Sequence, residues 1–128
     1  MKLIFALLVG LIFFITAGAQ KCEDVRLGTF KIAGDEVNPN ESILTRTDKY
    51  QFEEVKSKGI KMQFDLKWTS DCSYELSKPR VLKGELPNVS ESQVLYVKII
   101  RVTSTDYTAE ITSNFADFKL EKKIIIVK

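Results

Sequence analysis

One stretch of strict alternation constrains the fold of this chain more than any other feature. From residue 60 to residue 68 every second side chain is apolar, and the residues between are charged or polar. This period of two is typical of a β-strand with one buried face and one solvated face. The same parity continues through Cys72, Tyr74 and Leu76, so the segment predicts strand and not helix. The apolar members of the alternation are Ile60, Met62, Phe64, Leu66 and Trp68.

The end of this strand is predicted from the same parity. A two-residue turn at 70–71 would place the apolar sets of two successive strands on opposite faces. A three-residue loop, 69–71, pairs Trp68 with Cys72 and keeps both sets on one face. Because Asp71 tolerates the left-handed conformation that such a loop requires, we favour this hairpin. One long bent strand is the alternative.

The remainder of the chain after residue 19 predicts short strands separated by turn residues, with no convincing helical period. Seven to nine strands at hairpin spacing are typical of a small antiparallel β-barrel or sandwich. The last strand is a β-branched run that requires cover from a neighbour, because a bare edge of this kind aggregates. Besides the central hairpin, the predicted strands are 27–33, 42–47, 50–56, 94–103, 107–113 and 123–127.

The segment 78–92 is the least regular part of the chain. Pro79, Gly84 and Pro87 interrupt it, and each of these residue types disfavours a continuous strand. We therefore predict at most one short strand here, around 81–83.

The first 19 residues are typical of a secretory signal peptide. Lys2 is followed by an apolar run, 3–15, and Ala17-Gly18-Ala19 supplies the small residues that a signal peptidase cleaves after. The run is shorter than the about 20 residues that a membrane-spanning helix needs. The prediction is a signal peptide at 1–19 and one mature domain at 20–128. That domain would be periplasmic or extracellular, with no transmembrane span.

The two cysteines, Cys22 and Cys72, are predicted to form a disulfide, since oxidising compartments favour paired thiols. Two separate buried thiols are the alternative. Removal of the signal peptide leaves 18 basic and 17 acidic residues, a net charge of +1. A domain so close to neutrality lacks the basic surface that nucleic-acid binding requires, so nucleic acid is not expected as a partner.

The residues that usually carry catalysis are missing. There is no histidine, which removes Ser-His and Cys-His pairs and the usual zinc sites. No phosphate-binding loop, dinucleotide motif or calcium loop is present. The 17 acidic residues are interleaved with basic ones, as on a solvated surface. We predict no enzyme, no metal and no cofactor, with a carboxylate-based hydrolase as a remote alternative.

Three residues are candidate contacts for a ligand or partner. We interpret Trp68 first as a core residue packed near the disulfide. The second interpretation is an aromatic ring that stacks on a ligand in the mouth of a barrel. Tyr74 reads in the same way as a strand aromatic. Arg46 is unusual beside the apolar pair 43–44, and it either forms a salt bridge or lines a polar cavity. Asn40 and Asn88 match the acceptor pattern for glycosylation, which matters only in a host that glycosylates exported proteins.

Four segments carry a resemblance to a known family: 22–30, 43–46, 50–53 and the Trp-Thr-Ser-Asp-Cys-Ser-Tyr-Glu-Leu run at 68–76. On these residues the chain resembles a family of short exported proteins from Bacteroidetes-type bacteria. The resemblance implies export and no established activity. Some members carry the label "DNA topoisomerase IV". We reject that activity, because a near-neutral domain of this size offers no set of nucleophilic tyrosine, acidic metal ligands and DNA-gripping surface.

The sequence therefore predicts an exported, non-enzymatic β domain that acts as an envelope or secreted interaction module, with another envelope protein as its partner. The alternative is a lipocalin-like carrier of a small apolar ligand. The Gly28-Thr29-Phe30 segment resembles the start of the first strand in that class, and an eight-stranded barrel can hold one small ligand.

Overall fold

In a computed structural model, which describes residues 21–128, the chain forms a closed barrel of eight antiparallel strands. The order of the strands around the barrel follows the order of the chain. The predicted antiparallel all-β fold is thereby confirmed, and of the two predicted architectures the barrel is present. The predicted signal peptide, 1–19, lies outside the described residues. The strands are β1 (Gly28–Ile32), β2 (Ser42–Arg46), β3 (Tyr50–Val55), β4 (Ile60–Ser70), β5 (Ser73–Lys83), β6 (Leu95–Val102), β7 (Asp106–Ser113) and β8 (Leu120–Val127).

The last strand closes the barrel. β8 pairs with β7 on one side and with β1 on the other, where Phe30 lies opposite Ile126. The β-branched run 123–127 therefore has a hydrogen-bonded neighbour on each side, as the sequence required, and presents no bare edge.

The core follows the alternation of the strands. Phe64 and Leu66 of the central strand β4 are buried, while Trp68 and Leu95 are half-buried and pack against the same cluster. Side chains from all eight strands point into the barrel, as expected for side chains that alternate between its two faces. The buried apolar residues are Val25, Phe30, Leu44, Phe64, Leu66, Tyr74, Leu76, Val97, Ile99, Tyr107, Ala109 and Ile124.

The hairpin between β4 and β5 is present, but its predicted register is wrong. Trp68 lies opposite Tyr74, and the turn consists of two residues, Asp71 and Cys72. A two-residue turn by itself would place the apolar side chains of β4 and β5 on opposite faces. A bulge at Thr69, one extra residue in β4 between two paired positions, restores them to one face. The bulge lets a short turn coexist with apolar sets on one face, and it leaves Cys72 in the turn.

The prediction that residue 79 interrupts the chain is also wrong, because β5 continues through Pro79 to Lys83. Pairing of β5 with β6 ends at Leu76, so the far half of β5 has no partner on that side. The missing N–H of proline therefore breaks no ladder. On the β4 side the register shifts between Gln63 and Asp65, opposite this proline.

The two ends of the barrel differ. At one end, called here the closed end, a 3-10 helical turn at Cys22–Val25 lies against the core and Val25 is fully buried. The Cys22–Cys72 disulfide, predicted from the sequence, joins this turn to the β4–β5 hairpin. The opposite end, called the open end, carries the connections 33–41, 56–59, 84–94 and 114–119. None of the helical segments among residues 21–128 has the length and hydrophobicity of a membrane span.

Candidate ligand-binding site

Arg46 lies inside the barrel with 2% of its surface exposed. It ends β2 directly opposite Gln51 of β3, so both side chains point inward. The Arg46 Nε and Nη2 atoms donate hydrogen bonds of 3.0 and 2.9 Å to Oε1 of Gln51. Nη1 donates a hydrogen bond of 2.7 Å to the carbonyl oxygen of Val25. The guanidinium thus joins the closing helical turn to the inner wall.

Two tyrosines and a phenylalanine complete what we call the arginine cluster: Phe30, Arg46, Gln51, Tyr74 and Tyr107. Nη2 of Arg46 donates to the hydroxyls of Tyr74 at 2.9 Å and Tyr107 at 2.7 Å, and the two hydroxyls lie 3.1 Å apart. The guanidinium also lies 4.6 Å from the ring centroid of Phe30 and 4.7 Å from that of Tyr74. Burial raises the pKa of the Tyr74 hydroxyl well above its ordinary value.

The charge of Arg46 has no carboxylate partner among the described residues. Of the two roles that the sequence left open, a salt bridge is therefore not the one observed. Neutral oxygen acceptors and aromatic faces surround the guanidinium instead, and both disperse positive charge. The arginine cluster forms a polar floor near the closed end of the barrel, next to the Cys22–Val25 turn.

Above this floor a cavity of about 250 Å³ opens toward the open end of the barrel. Its wall is mainly aliphatic, and the ring of Tyr74 contributes to its lower part. The connection 33–41 and the segment before β8 form its rim. The lining residues are Ile32, Ala33, Asp35, Asn38, Asn40, Ser42, Leu44, Gln51, Glu53, Tyr74, Leu76, Leu95, Val97, Ile111, Phe118, Leu120, Lys122 and Ile124.

Gln51 belongs to both the floor and the cavity. Because its Oε1 accepts two hydrogen bonds from Arg46, the orientation of the amide is fixed. Its Nε2 makes no hydrogen bond within residues 21–128, and the residue lines the cavity. Gln51 therefore offers two donors to a molecule in the cavity.

Glu53 follows on the same face of β3, opposite Leu44 and Met62. Burial raises the pKa of its carboxyl group above the ordinary value of 4.5, and the nearby Ser42 hydroxyl offsets this only in part. No Lys or Arg in the described part of the chain forms an ion pair with Glu53. The cavity thus contains one carboxyl group without a cationic partner.

The rim is held by polar contacts of the connection 33–41. Asp35 accepts hydrogen bonds from the backbone N–H groups of Val37 and Asn38, and it lies 3.4 Å from Nζ of Lys122 on β8. The Asn38 backbone hydrogen bond and the lysine lower the pKa of Asp35. At the other side of the connection, Ser57 Oγ donates to Asn40 Oδ1 at 2.8 Å. The connection is tied to both β8 and the β3–β4 turn.

The three residues that the sequence singled out are neighbours, but they do not share one role. Arg46 and Tyr74 belong to the arginine cluster, and Tyr74 also lines the cavity. Trp68 packs against Tyr74 with the two rings tilted by 51° and their centroids 4.7 Å apart, and the Arg26 guanidinium lies 4.5 Å from the Trp68 ring centroid. Trp68 does not line the cavity.

Sequence reasoning missed Gln51, and it took Glu53, with the other acidic residues, for part of a solvated surface. The hydrophobic pattern of β3 is misleading, because Tyr50 and Phe52 point outward while these two polar residues point inward. Phe52 is partly covered on the outer face by Lys61, whose Nζ lies 5.6 Å from the ring centroid. The signal would have been the pairing of β3 with the apolar set of β4, which a single strand does not reveal.

The fold and the cavity define this protein as an up-and-down barrel with one open mouth, compatible with a lipocalin-like barrel. Within residues 21–128, no group of three His, Cys, Asp or Glu side chains is arranged to hold a metal ion. Comparisons with protein-family models, with curated proteins and with solved structures found no match.

Proposed function

We propose that this protein binds a small, mainly apolar molecule in the cavity at the open end of its barrel. The observation that carries the proposal is an aliphatic pocket built above a fixed polar floor. Such a combination of apolar wall and few oriented polar groups is typical of small-molecule sites. Because the wall of this pocket is mainly aliphatic, we propose carriage or sensing as its role.

The volume of the cavity sets the size of the ligand. Cavities of about 150 Å³ accommodate benzene, which has six non-hydrogen atoms. By proportion, the cavity of about 250 Å³ suits a ligand of about ten non-hydrogen atoms. A longer molecule would extend through the mouth, past the rim formed by the connection 33–41.

The direct test is a calorimetric titration of the purified mature domain with 1-octanol, an uncharged probe of nine non-hydrogen atoms. We expect a dissociation constant of about 0.1 mM, which corresponds to roughly −0.6 kcal/mol per non-hydrogen atom. The variant Leu95→Trp fills the cavity and should abolish binding. Its matched control is Tyr96→Trp, since Tyr96 is the next residue on β6 and points outward.

Two results would contradict the proposal. One is an absence of 1-octanol binding to the folded wild-type domain. The other is equal loss of binding in both tryptophan variants, because Tyr96→Trp leaves the cavity unchanged. Far-ultraviolet circular dichroism of each variant establishes that it is folded.

The interaction module predicted from the sequence is kept as a second candidate, because several large apolar side chains lie exposed on the outer surface. They include Tyr96 and Ile100 of β6, at 39% and 46% exposure. A partner that binds through this face should bind the Ile100→Glu variant more weakly than the wild type. The affinity for 1-octanol should be the same in both. Measuring the affinity for a partner and the affinity for 1-octanol in this variant distinguishes the interaction module from the ligand carrier.

We also propose export, supported by the Cys22–Cys72 disulfide and by the resemblance to exported proteins. Intact-mass measurement of the protein recovered from its native host tests this proposal. We expect a chain that begins at Gln20 and is lighter by two hydrogens, because of the disulfide. A chain that retains residues 1–19, or carries two free thiols, would contradict it.

A further inference from the structure

We propose that the ligand carries a positively charged amino group, which forms an ion pair with Glu53 inside the cavity. This inference rests on the proposed function and specifies the chemistry of the ligand. Its site is the inner face of β3, where Glu53 follows the floor residue Gln51 by two positions.

The first argument is the balance of charge in the cavity. Three charged side chains line it: Asp35, Glu53 and Lys122. Asp35 and Lys122 form an ion pair at the rim, with 3.4 Å between their charged atoms. Glu53 is left over, so the ligand-facing wall carries one unbalanced negative group when that carboxyl is ionised.

The second argument is the isolation of Glu53 from cations of the protein. Lys58 contributes with it to a neighbouring depression of about 180 Å³ but forms no ion pair with it. Burial is the main cause of the raised pKa of Glu53, and the Ser42 hydroxyl offsets it only in part. A cation brought by the ligand would supply the partner that the carboxylate lacks and offset its cost of desolvation.

The arginine cluster does not reverse this preference. Arg46 is absent from the cavity lining, and its donors already face oxygen atoms of Val25, Gln51, Tyr74 and Tyr107. An anionic ligand would therefore meet the Gln51 donors but also the carboxylate of Glu53. A ligand amine beside Glu53, with a hydrogen-bond acceptor within reach of Gln51, satisfies both groups.

The test compares three probes of matched length at pH 7: octylamine, which is protonated, 1-octanol, which is neutral, and octanoate, which is anionic. We expect octylamine to bind the wild-type domain at least about tenfold more tightly than 1-octanol, as for a charge-assisted hydrogen bond. Octanoate should bind most weakly. General attraction of the domain for cations does not explain such an order, because its mature net charge is +1.

The variant Glu53→Gln should lose the preference for octylamine over 1-octanol, since the amide conserves the shape of the carboxyl group but not its charge. Glu54→Gln is the matched control. Glu54 is the next residue on β3 and lies on the outer face with Ile43, Thr45, Phe52 and Lys61. Its preference for octylamine should equal that of the wild type.

The outcomes separate this inference from the proposed function. If 1-octanol binds but octylamine binds no more tightly, or octanoate binds best, the inference is overturned and the cavity still binds ligands. If none of the three probes binds, both proposals fail. The comparison of probes on the wild-type domain is decisive even where the glutamine variant does not fold.

Discussion

Arg46 and Tyr107 are 61 positions apart in the chain, yet Nη2 of Arg46 donates a hydrogen bond of 2.7 Å to the Tyr107 hydroxyl. The two residues lie on β2 and β7, which are not neighbours in the barrel. Their contact therefore crosses the interior and joins opposite walls. Tyr74 of β5 meets both groups. The floor of the cavity is consequently fixed by three strands at once, a condition that favours a preformed site.

Replacing the central cation should destabilise the whole barrel. Arg46→Met leaves the Val25 carbonyl and Gln51 Oε1 without their donor, and each loss costs about 1–3 kcal/mol in a buried site. We expect the free energy of unfolding in urea to fall by about 2–4 kcal/mol. Arg80→Ala is the control, because Arg80 pairs with Asp65 on the surface and should cost at most about 1 kcal/mol. Equal stability of Arg46→Met and wild type would show that the cluster is not structural.

Loss of the disulfide should weaken the closed end. Cys22 and Cys72 are separated by 50 positions, and the chain-entropy model assigns a loop of this size about 4 kcal/mol. We expect the double variant Cys22→Ser/Cys72→Ser to lose about 2–4 kcal/mol in urea unfolding. A reducing agent should lower the stability of the wild type toward that of the variant and leave the variant unchanged. If the wild type does not respond to reduction while its thiols are shown to be free, the bridge contributes nothing to stability.

The buried Tyr74 should make stability fall at alkaline pH. Its pKa is raised from 10.0, chiefly by burial, so the folded chain holds the phenolic proton more tightly than the unfolded chain. Above pH 10 unfolding releases that proton, and the free energy of unfolding decreases as the pH rises. The variant Tyr74→Phe should show a shallower decrease than the wild type between pH 9 and about 11.5.

Tyr96→Phe is the control for this measurement, since Tyr96 is exposed on the outer face. Its stability should follow that of the wild type across the same alkaline range. Identical slopes for Tyr74→Phe and wild type would mean that Tyr74 does not titrate on unfolding.

Glu53 should lower stability at neutral pH. Burial raises its pKa above 4.5 in the folded chain, so its favourable contribution is complete below pH 4.5 and is lost as the pH rises through the folded pKa. We expect Glu53→Gln to be more stable than the wild type at pH 7, with the difference shrinking as the pH approaches 4. Thermal unfolding at several pH values measures it.

The outer-face variant Glu54→Gln should not reproduce that pH-dependent gain. A more stable Glu53→Gln domain that has lost its preference for octylamine would show stability given up for binding, as is common at functional sites. A Glu53→Gln domain that is less stable than the wild type at pH 7 would contradict the expected cost of burying this carboxyl.

Only some of the residues of the candidate site could be identified from the sequence. Arg46 and Tyr74 attracted attention because an arginine beside an apolar pair and a tyrosine on the apolar parity of β4 and β5 are local patterns. Gln51 did not, and Glu53 was taken for a surface acid, since the neighbouring Tyr50 and Phe52 suggest the opposite face of β3. Which face points inward is set by pairing with β4, where Phe64 lies opposite Gln51. Pairing is a property of two strands.

The register of the β4–β5 hairpin shows the same limit. Parity required Trp68 and Tyr74 to lie on one face, and they do. A bulge at Thr69 and a loop of three residues satisfy that requirement equally well, so parity could not choose between them. The bulge places Cys72 in the turn, within bonding distance of Cys22.

The sequence by itself determined the antiparallel β class, the approximate number of strands, the pairing of its two cysteines and the residues that alternate inward on β4. These follow from local periodicity and from a count of residue types, which need no knowledge of distant neighbours. Only the tertiary structure decided that the strands close into a barrel, that β5 runs through Pro79 and that a guanidinium bonded to neutral oxygen atoms lies beneath a cavity containing Glu53. Those features arise where strands far apart in the chain meet, because the face of a strand that becomes buried depends on the strands with which it pairs.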